Sequence, residues 1–164
     1  APIAKRYRFR EGKINEDIDY KYKVLKDCDE WIVTNHVGYF YWQEGNSTSS
    51  GILKARDFQL YEAAEELYKL TQAESFGKIA FLGKVKKART AFSLLSRIAI
   101  WGIRDNTLNE KKVVKRLVKE HRHNLLLLLR APLPISRKIL SVMFALNFTI
   151  TRFLLSTVKG YINK

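Results

Sequence analysis

The hydrophobic positions of this chain follow a helical spacing over most of its length, with one interruption at residues 31–51. In residues 16–25 apolar side chains recur every three or four positions with lysines between them, which predicts a helix of about three turns. Asn15 is placed to cap this helix, and Glu16 and Asp17 fall in its first turn, where the helix dipole favours acids. Two adjacent carboxylates are therefore expected at a helix N-terminus.

The interruption has the composition of strands followed by a loop. Residues 31–34 and 39–42 are β-branched and aromatic runs joined by a short polar segment. They predict two short strands or one bent strand. Residues 44–51 are small and polar, which predicts an exposed loop that can act as a lid.

Beyond this loop the apolar spacing predicts helices only. We expect four of them, over residues 54–73, 79–101, 108–129 and 136–161. The third is two-sided, with valines and leucines on one face and lysines and arginines on the other. Pro132 and Pro134 end it, because proline cannot donate an intrahelical hydrogen bond.

The last predicted helix is apolar almost all round. Residues 139–158 reach the length that crosses a bilayer, but Asn147 and Arg152 lie within them. The pattern therefore favours a helix that lies on a membrane or packs on its neighbours over one that spans a bilayer.

Composition indicates one ordinary globular domain. The 164 residues are 46% hydrophobic and 12% aromatic, enough to bury a core. Cys28 is the sole cysteine, which excludes an internal disulfide framework and a cysteine-based zinc site. A reducing, intracellular compartment is expected.

Positive charge is concentrated toward the C-terminus. The net charge of +14 divides into 0 for residues 1–50, +5 for residues 51–104 and +9 for residues 105–164. A basic surface indicates an anionic neighbour, which can be nucleic acid, an acidic lipid surface or a phosphorylated substrate. The basic face of the third helix is either solvated or turned toward an anionic membrane surface.

Four elements in the first 50 residues carry a family resemblance. In order, they are Phe9-x-Glu11-Gly12-Lys13-x-Asn15-Glu16-Asp17, Trp31-Ile32-Val33-Thr34-Asn35, Tyr39-Phe40-Tyr41-Trp42-Gln43 and Asn46-Ser47-Thr48. Their order and spacing resemble the second half of family 2 glycosyltransferases, specifically the bacterial enzymes that build surface polysaccharide. The chain begins Ala1-Pro2 without methionine, and we expect it to be a piece of a longer protein whose first half is missing.

The resemblance implies an α+β, mostly α fold. Residues 1–51 would be the C-terminal portion of a GT-A α/β catalytic domain, on its acceptor side, with one helix and short strands. Residues 52–164 would be a basic extension of about four helices, of the kind that varies among such enzymes, and a candidate for membrane association.

The resemblance also implies roles for individual residues. Asp17 would be the catalytic base that takes the proton from an acceptor hydroxyl, and Glu16 would orient the acceptor or the base. Four further residues would belong to the substrate-binding wall and flap: Tyr39, Tyr41, Gln43 and Ser47. Gln43 departs from the family, in which an arginine is frequent after the second tyrosine.

The implied cofactor and partners follow from the same resemblance. A divalent metal, Mg or Mn, would be bound by the missing N-terminal half. No metal site is expected in this chain, because neither Asp17-x-Asp19 nor Asp27-x-Asp29 follows an apolar strand. The partners would be a nucleotide-sugar donor, a saccharide or lipid-linked acceptor and an anionic membrane surface. The complete enzyme would be cytoplasmic and peripheral at the inner face of the cell membrane and would bind no nucleic acid, and this piece alone would be inactive.

Plainer interpretations stay open. Glu16 and Asp17 can be a charged first turn on a solvated helix. His36 lies in a turn, from which it can reach a metal or a diphosphate or be merely polar, whereas His121 and His123 have no acidic or cysteine partner at metal-ligand spacing. The chain can also be a non-catalytic helical module whose basic surface binds nucleic acid or an anionic membrane. Nucleic-acid readers usually place aromatic residues among their basic ones, whereas here the aromatics lie apart from the basic helices.

Overall fold

The computed structural model describes residues 2–40 and 51–162, and these residues are mostly helical. The elements in chain order are α1 Pro2–Arg6, α2 Asp17–Lys26, a 3₁₀ turn Ala55–Phe58, α3 Gln59–Gln72, α4 Gly77–Trp101, α5 Glu110–Arg130, α6 Ile135–Leu146 and α7 Phe148–Ile162. The expectation of a mostly α fold is confirmed. The one β-type pairing in the described ranges is an isolated parallel bridge between Leu53 and Ile103.

The strand predicted at residues 31–34 is not formed. Residues 31–40 have no regular secondary structure and their side chains lie in solvent, with Trp31 69% and Phe40 86% exposed. A strand is stable only when a neighbouring strand accepts its hydrogen bonds, and no strand lies in the parts of the chain that the structure describes. Residues 41–50, which include the rest of the predicted second strand and most of the polar loop, lie outside the described residues.

α4 is the central helix, and α3, α5, α6 and α7 all pack against it. Its buried face includes Leu95 and Ile98, which meet Leu117 of α5 and Phe144 of α6 in one apolar cluster. The Phe144 ring lies edge-on to Phe92, with ring centroids 5.9 Å apart. The helical extension therefore has a common core, as the apolar stripes predicted.

The single helix predicted over residues 136–161 is wrong, because Asn147 divides it into α6 and α7. Asn147 has extended backbone angles, φ −152° and ψ 107°. Its side-chain Oδ1 accepts a hydrogen bond from the Ile150 N–H at 3.1 Å, so that Asn147 caps the start of α7. No helix in the described ranges combines the length and the apolar character that crossing a bilayer requires.

The N-terminal segment is attached to α3 through polar contacts. Tyr22 and Lys26 of α2 both reach the carboxylate of Glu74, each at 2.6 Å. Lys13 pairs with Glu62 at 2.7 Å. These contacts fix α2 beside the helical extension, so the start of α2 is held at a defined place on the molecule.

α3 and α4 approach each other closely at Gly83. A Cβ at this position would lie 1.8 Å from Oγ1 and 2.7 Å from Cβ of Thr71, which is buried. We expect Gly83→Ala to lower the free energy of unfolding by about 1–3 kcal/mol, because the two helices must move apart. Gly77→Ala is the matched control, since a Cβ there meets no atom within 4 Å. Urea unfolding followed by circular dichroism measures both, and equal midpoints for the two variants would contradict the close approach.

His121 is fully buried between α5 and α6 and predicts a pH-dependent stability. Its Nε2 lies 2.8 Å from the Ser141 carbonyl oxygen, while its buried Nδ1 has no hydrogen-bond partner. Burial lowers the pKa of this imidazole below its ordinary 6.5, so the unfolded chain takes up the proton first as pH falls. Stability is therefore complete above the unfolded pKa and is lost on acidification below it.

The measurement is the melting temperature between about pH 7.5 and 5.5, above the range in which ordinary carboxylates titrate. We expect the melting temperature of the wild type to fall as the pH is lowered, and that of His121→Gln to fall less. His123→Gln, at an exposed position on the same helix, should retain the wild-type slope. Identical slopes for His121→Gln and the wild type would exclude His121 as the source.

Candidate functional site

The predicted carboxylate pair lies at the start of α2, as the sequence indicates. α2 begins at Asp17, and Glu16 is the residue that precedes it, with φ −64° and no side-chain cap. The prediction that Asn15 caps this helix is wrong: Asn15 adopts the left-handed conformation, with φ 60°, and makes the turn that leads into the helix. Its carbonyl accepts the Ile18 N–H at 3.3 Å.

Asp17 is accessible and carries a cationic partner. Its carboxylate lies 2.6 Å from the Lys21 ammonium, one helical turn away, and its side chain is 43% exposed. The N-terminus of α2, with its free backbone N–H groups and the positive end of the helix dipole, lies at this position. The structure thus places a solvent-reached acid at a helix N-terminus.

Lys86 of α4, which is partly buried, interacts electrostatically with the same acid. Burial lowers the pKa of the Lys86 ammonium, and the neighbouring Arg89 guanidinium lowers it further, while Asp17 acts in the opposite direction. Asp17 therefore interacts with lysines of both its own helix and α4.

The loop before α2 is held against α2 by two side-chain pairs. The Phe9 ring stacks on Tyr20, with centroids 4.1 Å apart. Arg10 pairs with Asp19 at 3.1 Å, and Asp19 is 4% exposed. The sequence pattern did not predict these two pairs. The first could have been found, because Phe9 and Tyr20 are aromatic residues on either side of the carboxylates. The contacts fix the turn that positions Glu16 and Asp17.

A concavity of about 580 Å³ lies between this loop and α2. Its lining residues are Lys5, Tyr7, Arg8, Phe9, Glu11 and Tyr20. Neither Glu16 nor Asp17 lines it, and Tyr20 is the residue that α2 contributes. The structure therefore does not place the predicted carboxylate pair in this hollow.

The other predicted binding residues are not gathered at this site. Tyr39 is 77% exposed in the segment without regular structure. Tyr41, Gln43 and Ser47 lie outside the described residues. The aspartates of the two Asp-x-Asp pairs make other contacts. Asp19 forms an ion pair with Arg10, and Asp27 accepts a hydrogen bond from the Tyr7 hydroxyl. Across residues 2–40 and 51–162 no three metal-ligating side chains cluster.

A second concavity, of about 630 Å³, lies between α5 and the first turn of α7. Its lining combines lysines and arginines with apolar side chains: Glu110, Lys111, Val114, Lys115, Val118, Lys119, Arg122, Phe148, Thr149 and Arg152. The sequence predicted the basic face of α5. It did not predict the contribution of α7, because that contribution depends on the break at Asn147.

Comparison with known proteins yields no match to any family model, curated protein or solved structure.

Proposed function

We propose that this chain forms the acceptor side of an inverting glycosyltransferase similar to family 2, moving a sugar from a nucleotide-sugar donor to a saccharide or lipid-linked acceptor. In this proposal residues 1–51 belong to a GT-A catalytic domain and residues 52–164 are its helical extension. A divalent metal, Mg or Mn, would be held by the other half of that domain and would offset the charge of the donor diphosphate.

The observation that carries the proposal is the carboxylate pair at the start of α2. Asp17 is accessible, lies at a helix N-terminus and follows a turn fixed by the Phe9–Tyr20 and Arg10–Asp19 contacts. A general base must be reachable and held in place, and Asp17 meets both conditions. The motif that surrounds it is the one on which the family resemblance rests.

The proposed reaction is a displacement at the anomeric carbon of the donor sugar. Asp17 accepts the proton of the acceptor hydroxyl while that oxygen forms a new bond to the anomeric carbon. The bond between that carbon and the diphosphate oxygen breaks, and nucleoside diphosphate leaves with the bonding electrons. Attack from the opposite face inverts the anomeric configuration. Glu16 orients the acceptor or Asp17.

Exposed aromatic side chains near α2 fit a carbohydrate partner. Trp31 is 69% and Tyr39 is 77% exposed, and aromatic faces suit the C–H surfaces of sugars. Tyr41, Gln43 and Ser47 complete the proposed wall and flap by their positions in the motif. Large exposed aromatics in one short segment indicate a surface that is covered when its partner is present.

The test is a donor screen with the full-length polypeptide in which these residues occur. Purified protein is incubated with UDP-, GDP- and dTDP-sugars, Mg²⁺ or Mn²⁺ and a mixture of oligosaccharide and lipid-pyrophosphate acceptors. We expect nucleoside diphosphate release that requires both one donor class and an acceptor, and a product whose anomeric proton shows inversion by NMR. Retention of configuration, or no release with any donor, would overturn the proposal.

A further inference from the structure

We infer that the concavity between α5 and α7, here called the basic groove, binds the headgroups of anionic membrane lipids, and that exposed apolar side chains of α6 and α7 enter the lipid beside it. This inference does not depend on the proposed sugar transfer.

The cations of the basic groove divide into two kinds. Arg152 pairs with Glu110, and Arg122 donates from Nε to the Ala145 carbonyl at 2.6 Å, so both are engaged in holding α7 and α6 to α5. The remaining three are Lys111, Lys115 and Lys119.

These three lysines form a row along α5. They are exposed, they follow one another at intervals of four residues, and no described carboxylate lies within ion-pairing distance of them. Ammonium groups spaced along a helix can each meet a different phosphate, as on the surface of an anionic bilayer. The row therefore supplies uncompensated charge at the mouth of the groove.

Part of the lining of the basic groove is apolar. Val114 and Val118 of α5 and Phe148 of α7 line it together with the lysines and are partly buried. A small hydrated anion would gain no hydrophobic contact from these apolar side chains. An amphipathic molecule would place its charged group against the lysines and its apolar part against the valines and Phe148. The groove thus matches a charged headgroup joined to a hydrocarbon chain.

Exposed apolar side chains continue from the groove along α6 and α7. Leu146 is 74%, Ile150 59% and Phe153 69% exposed, and the first two flank the break at Asn147. On α6, Ile135 and Ile139 are also more than half exposed. An apolar helix surface beside a basic one is the arrangement by which a helix lies in the membrane interface.

Charge complementarity selects a membrane as the occupant. Residues 105–164 carry a net charge of +9, so the C-terminal part of the chain that holds the groove is attracted to an anionic surface. Nucleic acid would meet the same charge, but single strands bind by stacking bases on exposed aromatics. Among the described side chains of α6 and α7, the large exposed apolar ones are aliphatic except for Phe153.

The experiment is flotation of the purified chain with vesicles of phosphatidylcholine containing about 30% phosphatidylglycerol, against vesicles of phosphatidylcholine alone. We expect binding to the anionic vesicles only, weakened by added salt. The charge variant is Lys111→Gln/Lys115→Gln/Lys119→Gln. Each lysine near an anionic surface changes the affinity about fivefold, so the triple variant should bind roughly 100-fold more weakly.

Two matched controls test whether vesicle binding depends on the basic groove and its neighbouring apolar residues, and not on the total charge or hydrophobicity of the protein. Lys78→Gln/Lys84→Gln/Arg104→Gln removes the same charge from exposed positions outside the groove and should lose far less affinity. Ile150→Ser/Phe153→Ser should weaken binding, whereas Phe76→Ser/Leu82→Ser, at exposed positions of the α4 region, should not.

Three results would overturn the inference. They are equal losses in the two charge variants, equal binding to neutral and anionic vesicles, and tighter binding of a 30-nucleotide RNA than of the anionic vesicles in the same buffer. Circular dichroism of every variant confirms that lost binding does not reflect unfolding.

Discussion

Under the proposed function, replacing Asp17 by Asn is expected to lower the rate of sugar transfer by about 10²–10⁴-fold in the full-length polypeptide. Asparagine keeps the size of the side chain but cannot accept the proton of the acceptor hydroxyl. Because Asp17 is 43% exposed and its partner Lys21 is also in solvent, the substitution leaves the core intact. The donor should still bind, so the loss should appear in kcat and not in the donor KM.

The measurement is steady-state release of nucleoside diphosphate with donor and acceptor varied separately. Asp29→Asn is the matched control, since Asp29 is an exposed acid near the end of the same segment and should retain wild-type rates. Lys21→Gln tests the ion pair: it removes the 2.6 Å partner of Asp17 but not the carboxylate, so transfer should persist. A rate for Asp17→Asn within a few-fold of wild type would remove Asp17 from the role of base.

The order and approximate limits of the helices could be predicted from the sequence. α5 is strongly two-sided, and its apolar stripe predicted its limits to within a few residues. The break at Asn147 could not be found in this way, because α6 and α7 are apolar on most sides and periodicity cannot detect a change of direction. The break depends on a single asparagine, whose side-chain oxygen accepts a hydrogen bond from the Ile150 N–H.

The candidate site was predictable only in part, for a related reason. The Glu16–Asp17 pair is a local feature, and its place at the start of α2 follows from neighbouring residues. The Arg10–Asp19 pair and the proximity of Lys86 depend on how separate segments pack, which residue spacing does not encode. The predicted strand at residues 31–34 failed because β-branched residues favour a strand only when a partner strand is present.

The second large expected effect concerns Phe144, which joins α6 to α4 and α7. Its side chain is fully buried, and its ring lies 5.9 Å from Phe92 of α4 and 5.8 Å from Phe148 of α7. Phe144→Ala removes both ring contacts and leaves a cavity that helices on three sides cannot close. We expect the free energy of unfolding to fall by about 3–5 kcal/mol.

Urea unfolding followed by circular dichroism measures this loss, and Phe153→Ala supplies the matched control. Phe153 is 69% exposed, so its truncation should change stability by no more than about 0.5 kcal/mol. A loss below about 1 kcal/mol for Phe144→Ala would mean that α6 is not anchored through this ring. The two variants should also differ in vesicle binding. Phe148 lines the basic groove and contacts Phe144, so Phe144→Ala should weaken binding together with stability. Phe153→Ala should weaken binding without a change in stability.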